Sequence, residues 1–214
     1  MPGIWSHKWW PIMFTLVVNN FEVQYVGTEH VLYLKKTLTE HYKISKNWTG
    51  KYFCVLDTDR NYRNGKFRLS MKGYIKNVLE RYQHAPPKKL QLSPHQHTEP
   101  TYGAKFKYEI NPNGSNSLDK AGTKYVQGIV GALMFYTQAV DNKLLCTLST
   151  IASQQATTTQ ATKQAFQLVL DCVATYPNDR ILHHKSCMKL LAHVDACYLN
   201  VTNAHSRAGA HIFL

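Results

Sequence analysis

The chain has 214 residues, 44% of them apolar, enough to bury one sizeable core or two small ones and too many for a disordered tail. Its 25 Lys and Arg against 13 Asp and Glu give a formal charge of +12, which favours a polyanionic partner, nucleic acid ahead of anionic lipid. The longest early apolar run, Ile12 to Val18, falls far short of the roughly 20 residues a spanning helix needs, and no cleavable signal pattern follows it.

An intracellular chain, cytoplasmic or nuclear, with no membrane association is the expectation. Five cysteines (Cys54, Cys146, Cys172, Cys187, Cys197) make no C-x-x-C pair, and their odd number argues for reduced thiols over a disulfide framework.

In chain order, Phe14 to Val18 and Phe21 to Val26 are β-rich runs separated by Asn19-Asn20, a hairpin signal because Asn tolerates left-handed backbone. A helix is predicted from about Thr28, its cap, to Tyr42, with Val31, Leu34 and Leu38 on one face. A second hairpin should pair Lys51–Leu56 with Lys66–Leu69 across a polar stretch ending in Asn64-Gly65. Ser70 is the expected cap of a further helix whose apolar stripe is Tyr74, Ile75, Val78, Leu79 and Tyr82.

From His84 to about Asp119 the composition turns to Pro, Gly, Asn, Gln and His, which reads as a connector. Three helices should follow, near Lys120–Ala139, Lys143–Gln155 and Thr157–Thr175. The first carries Val126, Ile129, Val130 and Leu133, the second Leu144, Leu145, Leu148 and Ile151. After Pro177-Asn178-Asp179 come short strands at Ile181–His184, Lys189–Val194 and His211–Leu214.

Four stretches, in order, carry a family resemblance. Pro2-Gly-Ile-Trp-Ser-His7 with Phe14-Thr-Leu-Val-Val-Asn-Asn-Phe21 resembles the copia-type retrotransposon pattern P-G-L-W-x-H before F-x-L-V-V-D-D-F, the aspartate hairpin of the polymerase palm. Leu69-Ser70, Tyr74-Ile75 and Leu79-Glu-Arg-Tyr82 resemble the helix that begins the thumb. Val130-Gly-Ala-Leu-Met-Phe-Tyr136 is similar to V-G-x-L-x-Y-Y of the connecting region. His193-Val-Asp-Ala-Cys-Tyr198 with Ser206-Arg-Ala-Gly209 is similar to the start of ribonuclease H.

The resemblance implies an α+β chain: residues 1–83 from palm hairpin to thumb-like helix, 84–119 a connector, 120–180 a helical connection region, and 181–214 the first strands of a ribonuclease H-like domain. It implies Mg²⁺-dependent nucleotidyl transfer in intact relatives, where carboxylates hold two ions. This sequence departs at the chemistry. Asn19 and Asn20 stand where both hairpin aspartates belong, and a neutral carboxamide does not supply the charge Mg²⁺ prefers.

The family's third palm carboxylate lies before the hairpin and its remaining ribonuclease H acids lie after residue 214, so an inactive piece of a longer polyprotein is expected. Asp195 matches the first metal-binding aspartate of ribonuclease H and is expected to be vestigial. No metal or other cofactor is expected, Asp195 serving one only within a full ribonuclease H domain.

In the family the region around Lys72, Lys76, Arg81, Lys88 and Lys89, interleaved with Tyr74 and Tyr82, rides on the primer and template duplex. A basic remnant that still binds nucleic acid without sequence preference is therefore the alternative reading. No small-molecule substrate is expected. His183, His184, Cys187 and His193, on neighbouring predicted strands, lack the paired spacing of structural zinc sites. Asp57 and Asp59 read as a solvated face beside Arg60 and Arg63.

Overall fold

A computed structural model describes residues 3–96, 115–201 and 205–213. The chain is mixed α+β, with three antiparallel sheets and a helical layer. Elements run β1 (Ile4–Ser6), β2 (Ile12–Val17), β3 (Asn20–Tyr25), α1 (Thr28–His41), β4 (Tyr52–Phe53), β5 (Leu56–Asn61), β6 (Lys66–Ser70), α2 (Tyr74–Arg81) and α3 (Lys120–Ala139). A 3-10 turn at Asn142–Leu144 leads into α4 (Leu145–Ser153), then α5 (Gln160–Thr175), β7 (Arg180–His184), β8 (Leu191–Val201) and β9 (His205–Phe213).

The first sheet has the order β1-β2-β3, and its hairpin register is set by burial. Ile12, 5% exposed, pairs with Tyr25, and the pairing runs without a break to Val17↔Asn20. The turn is therefore Val18-Asn19, one residue earlier than the expected Asn19-Asn20. Pairing the buried Ile12 outweighs the turn preference of two asparagines, because register is strongest where one face is covered.

Helix α1 carries the expected stripe, Val31 buried with Leu34 and Leu38 half-buried. Gly27, at φ 81, takes the cap position expected of Thr28 and offers no side-chain bond. Trp10 stacks on His30 at 5.0 Å and meets Tyr33 edge-on at 5.2 Å, holding the helix to the segment before β2.

The second sheet, β4-β5-β6-β7, corrects two expectations. The partner of β6 is Leu56–Asn61, not Lys51–Leu56; the latter folds back at Cys54-Val55, both at positive φ, so that Tyr52–Phe53 lies on the far side of β5. Asn64-Gly65 is in the turn as expected, with Gly65 at φ 56. On its other edge β6 pairs with β7 over Lys66↔His184 to Ser70↔Arg180, a contact bridging more than a hundred residues. The strand at 180–184 thus shares a sheet with residues 52–70, while β8 and β9 form a sheet of their own.

Ser70 ends β6 and caps nothing; Gly73, left-handed at φ 75, starts α2. The α2 stripe is as expected, with Ile75 and Val78 buried and Tyr74, Leu79 and Tyr82 packed against them.

The core is the α2, α3, α4 and α5 layer, built on Ile129, Leu133, Tyr136, Leu144, Leu148, Phe166 and Leu170, none more than 1% exposed. Burial of each such side chain stabilises by roughly 1.5–3 kcal/mol before entropy is counted. Leu145, expected inside, is 42% exposed, since the 3-10 turn before it rotates the stripe onto Leu144, Leu148 and Ile151.

Helix α3 begins at Asp119, whose carboxylate accepts from Gly122 N–H at 2.8 Å, and α5 begins with a reciprocal Thr159–Thr162 capping box. A bridge between Ser117 and Thr159 joins these two helix starts. Of the connector, residues 97–114 lie outside the described residues. Among the described residues no helix is long and apolar enough to cross a membrane.

Candidate functional site

At the tip of the first hairpin, Val18 has φ 57 and is 92% exposed. A β-branched residue in left-handed backbone is strained, and such strain gathers where a turn must aim its neighbours. The neighbours are Asn19 and Asn20, and the Asn20 carboxamide N–H donates to Asn19 Oδ1 at 3.2 Å. One of the two carbonyl oxygens is thus occupied, and both side chains are neutral. This donor set does not fit Mg²⁺, which prefers carboxylates and sheds water reluctantly.

Glu22, two residues on, points away to Arg60 of β5 and ties the first sheet to the second at 2.5 Å. The same guanidinium lies over the Phe67 ring at 5.3 Å, so Arg60 is a structural bridge instead of the solvated neighbour of Asp57 and Asp59 that was expected. Those two carboxylates have other partners: Asp57 accepts from Lys72 N–H at 2.9 Å and Asp59 pairs with Arg68 at 2.9 Å.

Asp195 stands mid-strand in β8, opposite Gly209, not near the strand's close as its sequence neighbours suggest, because the ladder continues to Val201↔His205. It is exposed, and its Oδ1 accepts from the next backbone N–H, of Ala196, at 2.8 Å. Among the described residues, no group of three or more His, Cys, Asp or Glu side chains is placed to hold a metal ion. His183 and His184 lie on β7 and His193 on β8, which are different sheets and not neighbouring strands.

The five basic residues are all exposed. Lys76 is partly neutralised by Glu80 one turn on, at 3.8 Å, and the Arg81 guanidinium lies over the Tyr82 ring at 5.6 Å. Lys72, Arg81, Lys88 and Lys89 have no carboxylate within 4.0 Å among the described residues.

Of the aromatic interleaving expected with them only the Arg81–Tyr82 contact is present, and both tyrosines pack partly against the core. Tyr74 O–H donates to Ala132 C=O at 3.0 Å, and burial pushes its hydroxyl up from the usual tyrosine range. Tyr82 meets Tyr125 edge-on at 5.5 Å.

The chain has no significant match to any family model, curated protein or solved structure.

Two clusters were not legible in the sequence. His84, with a side chain only 4% exposed, contacts Asp171 Oδ1 through Nε2 at 2.8 Å, and Gln167 Nε2 lies 3.2 Å from its Nδ1. Both ring nitrogens are taken, so the imidazole clamps the segment after α2 onto α5 and keeps no free nitrogen for proton transfer. It lies at the edge of a cleft of about 640 Å³ lined by Lys76, Leu79, Glu80, Pro86 and Pro177.

The second cluster is Asp141, Lys143 and Asp179. Desolvation pushes the buried Asp141 carboxyl up to about 6, opposed by Lys143 and reinforced by Asp179. Burial pulls Lys143 down, but its bond to Asp179 and the two carboxylates outweigh this and raise it. The adjoining cavity, about 50 Å³, is too small for a substrate.

Proposed function

We propose that this chain is a catalytically inactive remnant of a copia-type reverse transcriptase running into ribonuclease H. The four motif stretches, met in the family's order, support the ancestry, and the Asn19–Asn20 pair carries the inactivity. Each metal-binding carboxylate replaced by a neutral carboxamide, at about 3 kcal/mol of transition-state stabilisation, lowers the rate by about two decades. Hairpin shape survives such a change, since asparagine is at home in tight turns.

Primer extension on an RNA template with Mg²⁺ and with Mn²⁺, using the chain beside its Asn19→Asp/Asn20→Asp form, tests this reading. No extension by either is expected; extension by the unmodified chain overturns it.

A second reading, a basic module that still binds nucleic acid, is favoured by the exposed Lys72, Arg81, Lys88 and Lys89, which no carboxylate neutralises among the described residues. Binding should be insensitive to sequence and should weaken steeply with salt as counterions return to the backbone. Fluorescence anisotropy across a salt series measures it, and affinity independent of salt counts against this reading.

A further inference from the structure

The first sheet carries a row of rings across its full width. Trp5 on β1 sits directly opposite Phe14 on β2, their rings stacked at 5.5 Å and 17°. Phe21 on β3 is opposite Leu16, two residues from Phe14 and so on the same face, with its ring 5.7 Å from that of Phe14. On this face Ile12 is buried, yet Trp5 on the β1 edge is 41% exposed and Phe21 near the hairpin tip 40%. The face is covered at Ile12 and open at the two ends of the ring row.

Trp10 contrasts with it, both faces of its indole already occupied by His7 at 4.5 Å and His30 at 5.0 Å. Phe14 is flanked by its two neighbours, but Trp5 and Phe21, at the ends of the row, each meet a ring on the Phe14 side alone among the described residues.

Charge decides among occupants. A second copy would bring another +12 against the first, whereas a polyanion is attracted. Lys8, between β1 and β2, and Lys35, on α1, have no carboxylate within 4.0 Å among the described residues. Ammonium groups without a counter-charge suit an anionic backbone.

We propose that the Trp5, Phe14 and Phe21 face is a stacking platform for unpaired bases of single-stranded nucleic acid. It rests on the nucleic-acid-binding reading above and adds a ligand class to it: every base offers a π-face, so the platform tolerates any sequence, but bases inside a duplex are already stacked and cannot reach it. The duplex backbone is left to the basic residues around α2.

The test uses the full chain with three labelled probes of equal phosphate number, followed by anisotropy: an oligothymidylate, its abasic counterpart and a hairpin duplex. Removing the bases should weaken single-strand binding roughly 5- to 150-fold, the range set by one stacked base. Trp5→Ala and Phe21→Ala should weaken oligothymidylate binding similarly while leaving duplex binding within about twofold.

Equal affinity for the oligothymidylate and its abasic counterpart, with the duplex still bound, overturns the platform alone. Binding to none of the three probes overturns the nucleic-acid reading with it. The abasic comparison needs no variant, so a substitution that fails to fold leaves the proposal fully exposed to disproof.

Discussion

Asn20 donates its side-chain N–H to Asn19 Oδ1 at 3.2 Å, so one hydrogen bond joins the two neutral side chains at the hairpin tip. Converting both to aspartate exchanges this hydrogen bond for two like charges at contact distance. Both residues are exposed, so the cost is screened: about 0.5–1 kcal/mol of stability at low ionic strength. Urea denaturation of the chain and its Asn19→Asp/Asn20→Asp form should show that gap narrowing in roughly 1 M salt, and a gap indifferent to salt would mean the side chains do not meet.

Two glycines of α3 should respond in opposite directions to alanine. A Cβ on Gly128 would stand 2.7 Å from Tyr82 Oη, whereas one on Gly131 meets nothing within 4 Å. Gly128→Ala therefore pushes the Tyr82 ring off α3 and should cost about 1–3 kcal/mol. Gly131→Ala fills open space on an exposed helical face and should gain about 0.5–1 kcal/mol. Chemical denaturation of both variants measures the contrast, and equal signs would show that Tyr82 does not rest on Gly128.

Asp141 links folding to pH. Its carboxyl is raised from 3.8 to about 6, so the folded state holds the proton more tightly than the unfolded one. The stability this confers is complete below the unfolded value and is lost as pH rises through about 6. Asp141→Asn removes the dependence; it should be more stable than the parent by about 1–3 kcal/mol near pH 8 and nearly equal to it near pH 4. Thermal melts across this range read the difference, and parallel curves would show that Asp141 titrates as an ordinary surface carboxylate.

The His84 clamp should matter to stability. His84→Ala removes a side chain only 4% exposed and strips the Asp171 carboxylate of its partner, at a cost of about 1–3 kcal/mol. Combined with Asp171→Ala, a double-mutant cycle should give a coupling of roughly 0.5–3 kcal/mol; additive losses would mean that the two side chains do not act together.

Much of this protein was legible in its sequence because it is local. Helical periodicity placed α3 near Lys120–Ala139, as found, and the stripes of α1 and α2 follow from which apolar residues recur on one side of a turn. The +12 charge and the adjacent asparagines at residues 19 and 20 are facts of composition that no folding can alter.

Tertiary structure decided what depends on partners distant in sequence. The hairpin register moved because a buried isoleucine needed its pair, and β6 took β7 as a neighbour from more than a hundred residues away. Tyr74 and Tyr82, which alternate with basic residues along α2, packed partly against the core because α3 offers a carbonyl and a glycine-lined gap to receive them. The His84 clamp joins residues 87 apart, and the ring row of Trp5, Phe14 and Phe21 exists only once three strands are aligned. Sequence period tells which side of an element is apolar; only the packed chain tells what that side meets, because burial is a property of neighbours and not of residues.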